Sequence, residues 1–122
     1  MTVQQDIQRR MTREFIAQDP TTIALIPQQL EVQLSGSKKL VAQDPREPQD
    51  FKLIPMTFDQ RPTVTADGVE RIISYTLLGA HDCALEVWDT WSNDEGTFLV
   101  VAMAPGHGYE KKGLVEHHLP VR

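Results

Sequence analysis

At Asp19-Pro20 the hydrophobic period of this chain changes, and that change limits the fold more than any other feature. Upstream, Val3, Ile7, Met11 and Phe15 recur every four residues with Ile16 beside the last, the single apolar stripe of a helix. Thr2 and Gln5 have capping-box spacing, and Pro20 pushes Asp19 out of the α region, so the spacing predicts one helix within residues 1–20. Such a helix, about 16 residues long, would extend about 24 Å. Its stripe would lie on the chain's own domain or on a neighbouring subunit, and the spacing leaves both open.

Downstream of Pro20 the period is two. Thr22 to Ile26 is β-prone, and Leu30, Val32 and Leu34 alternate with Glu31 and Gln33 before a turn at Ser35-Gly36-Ser37-Lys38-Lys39. Residues 42–50 hold two prolines, four charges and almost nothing to bury, so a functional or disordered loop is expected there. Phe51 to Ile54 resumes as a strand, Ala66-Asp67-Gly68 reads as a hairpin turn, and Arg71 to Leu78 reads as one long strand. Leu85, Val87, Asp89 and Trp91 alternate again, which would put Trp88 on the opposite face. Asn93-Asp94-Glu95-Gly96 joins that segment to Phe98–Met103 as a hairpin. After a break at Pro105-Gly106-His107-Gly108, a last strand runs from Tyr109 to Leu119. One helix and six or seven short strands predict a mainly β fold, a small antiparallel barrel or sandwich over 21–122 with an N-terminal α-helix.

With 122 residues, 40% apolar and 24% charged, the chain is expected to be one globular domain. No apolar run reaches the roughly 20 residues of a membrane span, and Met1 to Asp6 lacks the pattern of a secretory signal, so a cytosolic protein without membrane partners is expected. The single Cys83 provides no internal disulfide. Seventeen acidic against 12 basic residues give a net charge of −5, which argues against a dedicated nucleic-acid binder.

Chemical signatures are sparse. His81-Asp82-Cys83 sets a base, a carboxylate and a thiol in a row, but in extended chain His81 and Cys83 would share a face that Asp82 could not. His117 and His118 would point to opposite sides of a strand, and His107 lies in a glycine turn, so no metal-ligand spacing emerges. Gly106 and Gly108 lie between two expected strands rather than before a helix, which fits a turn and not a phosphate cradle. Neither a catalytic site, a metal nor a cofactor is expected, and the chain is read as structural rather than as an enzyme. Trp88, on the face away from Leu85 and Val87, is the candidate interface anchor, with plain core filling as the alternative.

The order of features has a likeness. A helical start leads into a barrel-like domain with a long polar loop after its second strand. It closes on Leu85-Glu86-Val87-Trp88-Asp89-Thr90-Trp91, the Gly96 turn, Phe98–Pro105 and Gly108–Glu116. Phe51–Pro55 and Gln60–Gly68 have the same texture. From about Met11 to Glu116 this resembles the head-to-tail connector proteins of siphophages, above all the head-to-tail stopper, or head-closure, family. The resemblance implies a homo-oligomeric ring in the neck of a virion assembled in the host cytoplasm. That ring would sit below portal and adaptor, dock the tail terminator or tail tube, and retain double-stranded DNA without reading its sequence. It implies a channel or plug loop near 38–50, with Lys38, Lys39, Arg46 and Glu47 as its candidate residues. Met11, Phe15 and Ile16 join Trp88 as candidate inter-subunit contacts. A tail terminator or head-tail adaptor is the alternative within the virion. A small β-barrel enzyme or an oligonucleotide-binding barrel is the alternative outside it, and the second would want a basic groove interleaved with aromatics.

Overall fold

A computed structural model describes residues 3–56, 62–65, 68–105 and 107–120. The expected capping residue Thr2, residues 57–61, Ala66, Asp67 and Gly106 lie outside them. The fold is mainly β, with one N-terminal helix and an antiparallel sheet nearly closed into a barrel.

Helix α1 spans Val3–Gln18. Ten strands follow among the described residues: β1 Thr21–Ile23, β2 Gln28–Val32, β3 Lys38–Ala42, β4 Gln49–Pro55, β5 Pro62–Val64, β6 Glu70–Ile72, β7 Tyr75–Ala80, β8 Thr90–Asn93, β9 Gly96–Met103 and β10 Glu110–His118. Six form the barrel wall in the order β1-β4-β7-β10-β9-β8. The wall is drawn round at one point, where Ile26 and Thr90 exchange both backbone hydrogen bonds, at 2.8 and 3.0 Å. β5 and β6 pair as a separate hairpin, as do β2 and β3.

Inside the barrel, alternation works as expected. Phe51, Leu77, Phe98, Val100 and Val115 are fully buried in one cluster with Leu25. Trp91, Phe98 and His117 stand opposite one another across β8, β9 and β10 and stack face to face, with centroids 4.8 and 4.4 Å apart. Tyr75 meets both Phe98 and His117 edge-on, an arrangement aromatic quadrupoles favour. The β8–β9 hairpin turns at Asp94-Glu95, and Gly96 there has φ +130°. A Cβ at Gly96 would run into the carbonyl of His118, so a side chain is excluded by contact as well as by conformation.

The helix covers the outer face of the wall, over β4 and β7. Of the two places open to the predicted stripe, the chain's own wall takes only its Ile16 end. Thr12 and Ile16 are turned in, whereas Val3, Ile7, Met11 and Phe15 remain 77, 44, 60 and 43% exposed. Arg9 Nε donates to the Gly108 carbonyl at 2.9 Å and Arg13 pairs with Asp82 at 3.4 Å, so polar contacts share in fixing the helix.

Three further expectations need correction. The long strand at 71–78 is broken at Ile73-Ser74, where the Ser74 N–H donates to Val115 across the sheet, so β6 and β7 belong to different sheets. The Leu85–Trp91 segment is a strand only from Thr90. Before that a tight turn over Glu86–Asp89 puts Trp88 at φ +74°. Lys38 and Lys39, read as part of a turn, begin strand β3.

Candidate functional site

Three regions carry side chains that the barrel does not need for its own core. The first is the β2–β3 hairpin. Register pairs Leu30 with Leu40 and Val32 with Lys38, so Leu30, Val32 and Leu40 share one face. The tip closes through Gln33 N–H to Ser37 O at 2.7 Å and Gly36 N–H to Gln33 O at 2.9 Å. Leu30 is 51% and Val32 71% exposed, and Leu34 at the tip is fully exposed. This hairpin is an arm that lies outside the barrel wall, with an uncovered apolar row and Lys38 and Lys39 exposed beside it. The sequence offered part of a signal for it: one alternating run, Leu30 to Leu34, leads into a turn at Ser35-Gly36-Ser37. What alternation does not say is whether an apolar row faces the core.

The second region is the root of that arm, and it changes the reading of the polar loop. Gln43 N–H donates to Pro27 O and Arg46 N–H to Leu25 O, both at 2.8 Å. Gln49 exchanges two hydrogen bonds with the backbone of Ala84, at 2.9 and 3.1 Å. Arg46 turns its guanidinium to Asp89, with Nη2 3.3 Å from Oδ1, and lies 3.5 Å from Glu86. Residues 43–49 are thus tied down to the barrel, and the segment left to project is 28–42. Arg46 is accordingly an anchor and not a free phosphate contact. Glu47 beside it stays exposed.

Asp89 escaped the sequence reading because an aspartate beside a turn is ordinary turn chemistry. It is 1% exposed. Its Oδ2 accepts the Glu86 backbone N–H at 2.9 Å, inside the turn that Asp89 N–H to Glu86 O closes at 3.2 Å. Burial pushes its carboxyl above the ordinary range, and the Glu86 N–H and then the Arg46 guanidinium act against that rise. The left-handed Trp88 is the hinge of this turn. Its N–H donates to Val100 O while Val100 N–H donates to Asp89 O, so Trp88 and Asp89 face one residue of β9 as a bulge. Trp88 itself is half-buried.

The third region is a groove between helix and wall. Met11 and Phe15 line it from the helix, and Ile54 and Leu78 from β4 and β7. Glu110 and Lys112 lie at its edge, paired at 3.1 Å. Of the candidate contacts, Met11 and Phe15 therefore belong to an exposed apolar surface. Ile16 does not, being 4% exposed against its own chain.

The residues scanned for chemistry are dispersed. His81 and Asp82 form a turn after β7, and Cys83 lies with its sulfur over Gly79. Burial pushes that thiol up, with Lys111 opposing and Asp82 adding, which is the reverse of what activates a nucleophile. His117 lies against Phe98 with Nε2 2.8 Å from Glu95 O, and His118 meets Glu116 at 2.6 Å. Among the described residues no three His, Cys, Asp or Glu side chains converge, and no helix is long and apolar enough to cross a membrane.

No protein-family model, no curated protein and no solved structure matches this chain.

Proposed function

We propose that this protein is a ring-forming structural subunit of a siphophage neck, of the head-to-tail stopper type. The observation that carries the reading is the coexistence of a completed barrel core with two uncovered apolar surfaces, the stripe of α1 and the row along the β2–β3 arm. Contiguous apolar surface left open on a small domain marks a place where another molecule sits. An arm rooted by Arg46 and the 25–27 segment supplies a reach that the barrel lacks. Portal and adaptor on one side, and tail terminator or tail tube on the other, are the partners of such a ring. The net charge of −5 suits a channel along which DNA slides without sticking. Lys38 and Lys39 on the arm, rather than Arg46, are then the candidate contacts to passing phosphate.

The test is electron microscopy of particles made by a phage from which this gene is deleted. Emptied heads beside free tails of normal length are the expected result. Filled heads beside tails of abnormal length would replace the stopper by the terminator. Normal infectious virions would refute a neck role.

A further inference from the structure

We infer that the β2–β3 arm is a lever whose fulcrum is the 84–90 segment, so that a load on the arm is registered at Trp88 and at the seam that closes the barrel. This goes beyond the neck reading and holds for any partner of the arm.

The arm is the far half of one bent ribbon. Gln43 N–H bonds to Pro27 O and Gln33 N–H to Ser37 O, which puts Gln29 and Glu31 in hydrogen-bonded positions opposite Val41 and Lys39. On the barrel side the same two strands stay together. Arg46 N–H reaches Leu25 O, and then Ile23 pairs with Gln49 and Thr21 with Phe51. From Ile23 to Gln28 is five residues and from Ala42 to Gln49 seven, so the second strand holds two more and the ribbon bends there as at a bulge. Pro45 and Pro48 lie in the bend and have no N–H to add to the ladder.

The bend is seated on one short stretch of chain. Gln49 exchanges two hydrogen bonds with Ala84, Arg46 reaches Glu86 and Asp89, and Ile26 exchanges two with Thr90. That stretch is fastened to the barrel in turn by the buried Leu85 and by the bonds of Val100 to Trp88 and Asp89. Trp88, left-handed at φ +74°, sits between these fastenings. A conformation of this kind persists only while its surroundings over-determine it. Beyond the root, the arm's substantial packing is between its own two strands, among the described residues. A load on the arm therefore enters the barrel through this seat, along a contiguous set of bonds.

The seam is part of the same seat. Ile26, two residues from the start of β2, makes the isolated bridge to Thr90. In antiparallel register the next bonded pair would be Ala24 with Ser92. Residues 21–24 and 91–93 instead line an open cleft of about 340 Å³, with Ile23 and Trp91 among its walls. One residue of the ribbon thus holds the barrel closed, and a swing of the arm pulls on it.

The chain's two tryptophans lie at the fulcrum and beside the seam, so 5-fluorotryptophan NMR of the full chain gives one line for each, assigned by Trp88→Phe. Glu31→Pro removes a ladder donor from the arm, and Gly36→Val strains its tip at φ +84° without touching the ladder. Each should move the Trp88 line by more than its width. Each should also speed hydrogen exchange of the Thr90 amide about fivefold or more, and leave the amides of β7 and β10 within about twofold of the parent. Leu119→Ser, at an exposed apolar position off the lever, should do neither. Arm amides that exchange faster while the Trp88 line and the Thr90 amide stay as in the parent would overturn the lever. Protection lost across β7 and β10 as well would also overturn it, because the arm would then be part of the barrel's cooperative core.

Discussion

The barrel interior and the β2–β3 arm are written in the same code and end in opposite environments. Trp91 and Phe98 alternate with polar or half-exposed neighbours, and Leu30 and Val32 with polar ones. The first set is enclosed by a six-stranded wall, and the second faces water on a two-stranded one. Strand pairing is thus a local consequence of alternation, whereas burial depends on how many further strands close over the face. If the distinction is real, equal deletions in the two regions should have very unequal effects on the stability of the isolated chain. Phe98→Ala removes the centre of the aromatic column between Trp91 and His117. It should cost about 3–5 kcal/mol in denaturant unfolding. A loss below about 1 kcal/mol would mean that the barrel interior is as loosely held as the arm.

Between these extremes stands the root of the arm, where Arg46 meets Asp89. Removing one partner of a buried pair strands the other, so Arg46→Met should cost about 3 kcal/mol at neutral pH. The pH dependence fixes the sign. Asp89 is already pushed above its ordinary carboxylate value by burial, and loss of the guanidinium raises it further. A group raised in the folded state adds stability that is complete below its unfolded pKa and fades as pH rises through the folded one. The variant should therefore approach the parent protein on acidification, as the carboxyl takes up its proton and no longer needs a counter-charge. A difference that stays constant with pH would mean that Asp89 carries no charge opposite Arg46.

A smaller effect belongs to the turn that aims Asp89. Trp88 occupies a left-handed conformation that glycine adopts freely and tryptophan does not. Trp88→Gly and Trp88→Ala both lose the indole, and only the first relieves the backbone. Glycine should come out more stable than alanine by about 0.5–1 kcal/mol, the strain of about 1–2 kcal/mol less the entropy that glycine adds to the unfolded chain. Alanine equal to or above glycine would place the turn elsewhere in φ.

These same positions show where the sequence was legible. The helix and its stop at Asp19-Pro20, the Asn93–Gly96 hairpin, and the mainly β class followed from period and turn residues, which act over a few neighbours. The strand expected at Leu85–Trp91 failed because Asp89, inward by alternation, is inward for another reason: it accepts the Glu86 N–H and receives Arg46 from a loop 43 residues away. The helix stripe left its covering open between the chain's own wall and a neighbour, and in the structure Thr12 and Ile16 are the residues turned in, while Lys52 lies 5.2 Å from the exposed ring of Phe15. Long-range polar pairings of this kind leave no periodic trace. The arm lay in between: the alternation of β2 and the turn after it were read, whereas strand β3 and the exposure of the apolar row were not.

The smallest predicted stability change is the sharpest test of the comparison. Leu34→Ser should alter unfolding of the isolated chain by no more than about 0.5 kcal/mol, because a side chain already in water loses no buried contact when it is shortened. Lys38 and Lys39 at the start of β3 are exposed as well. The same substitution removes the apolar end of the arm, its most exposed apolar side chain. Stability and assembly should therefore separate at this residue: an unfolding midpoint that does not move, and a self-association constant that falls. Should the midpoint drop by the amount seen in the barrel, the arm folds back onto its own chain in solution. Its apolar row would then be a core face after all, and the contrast between the two regions would vanish.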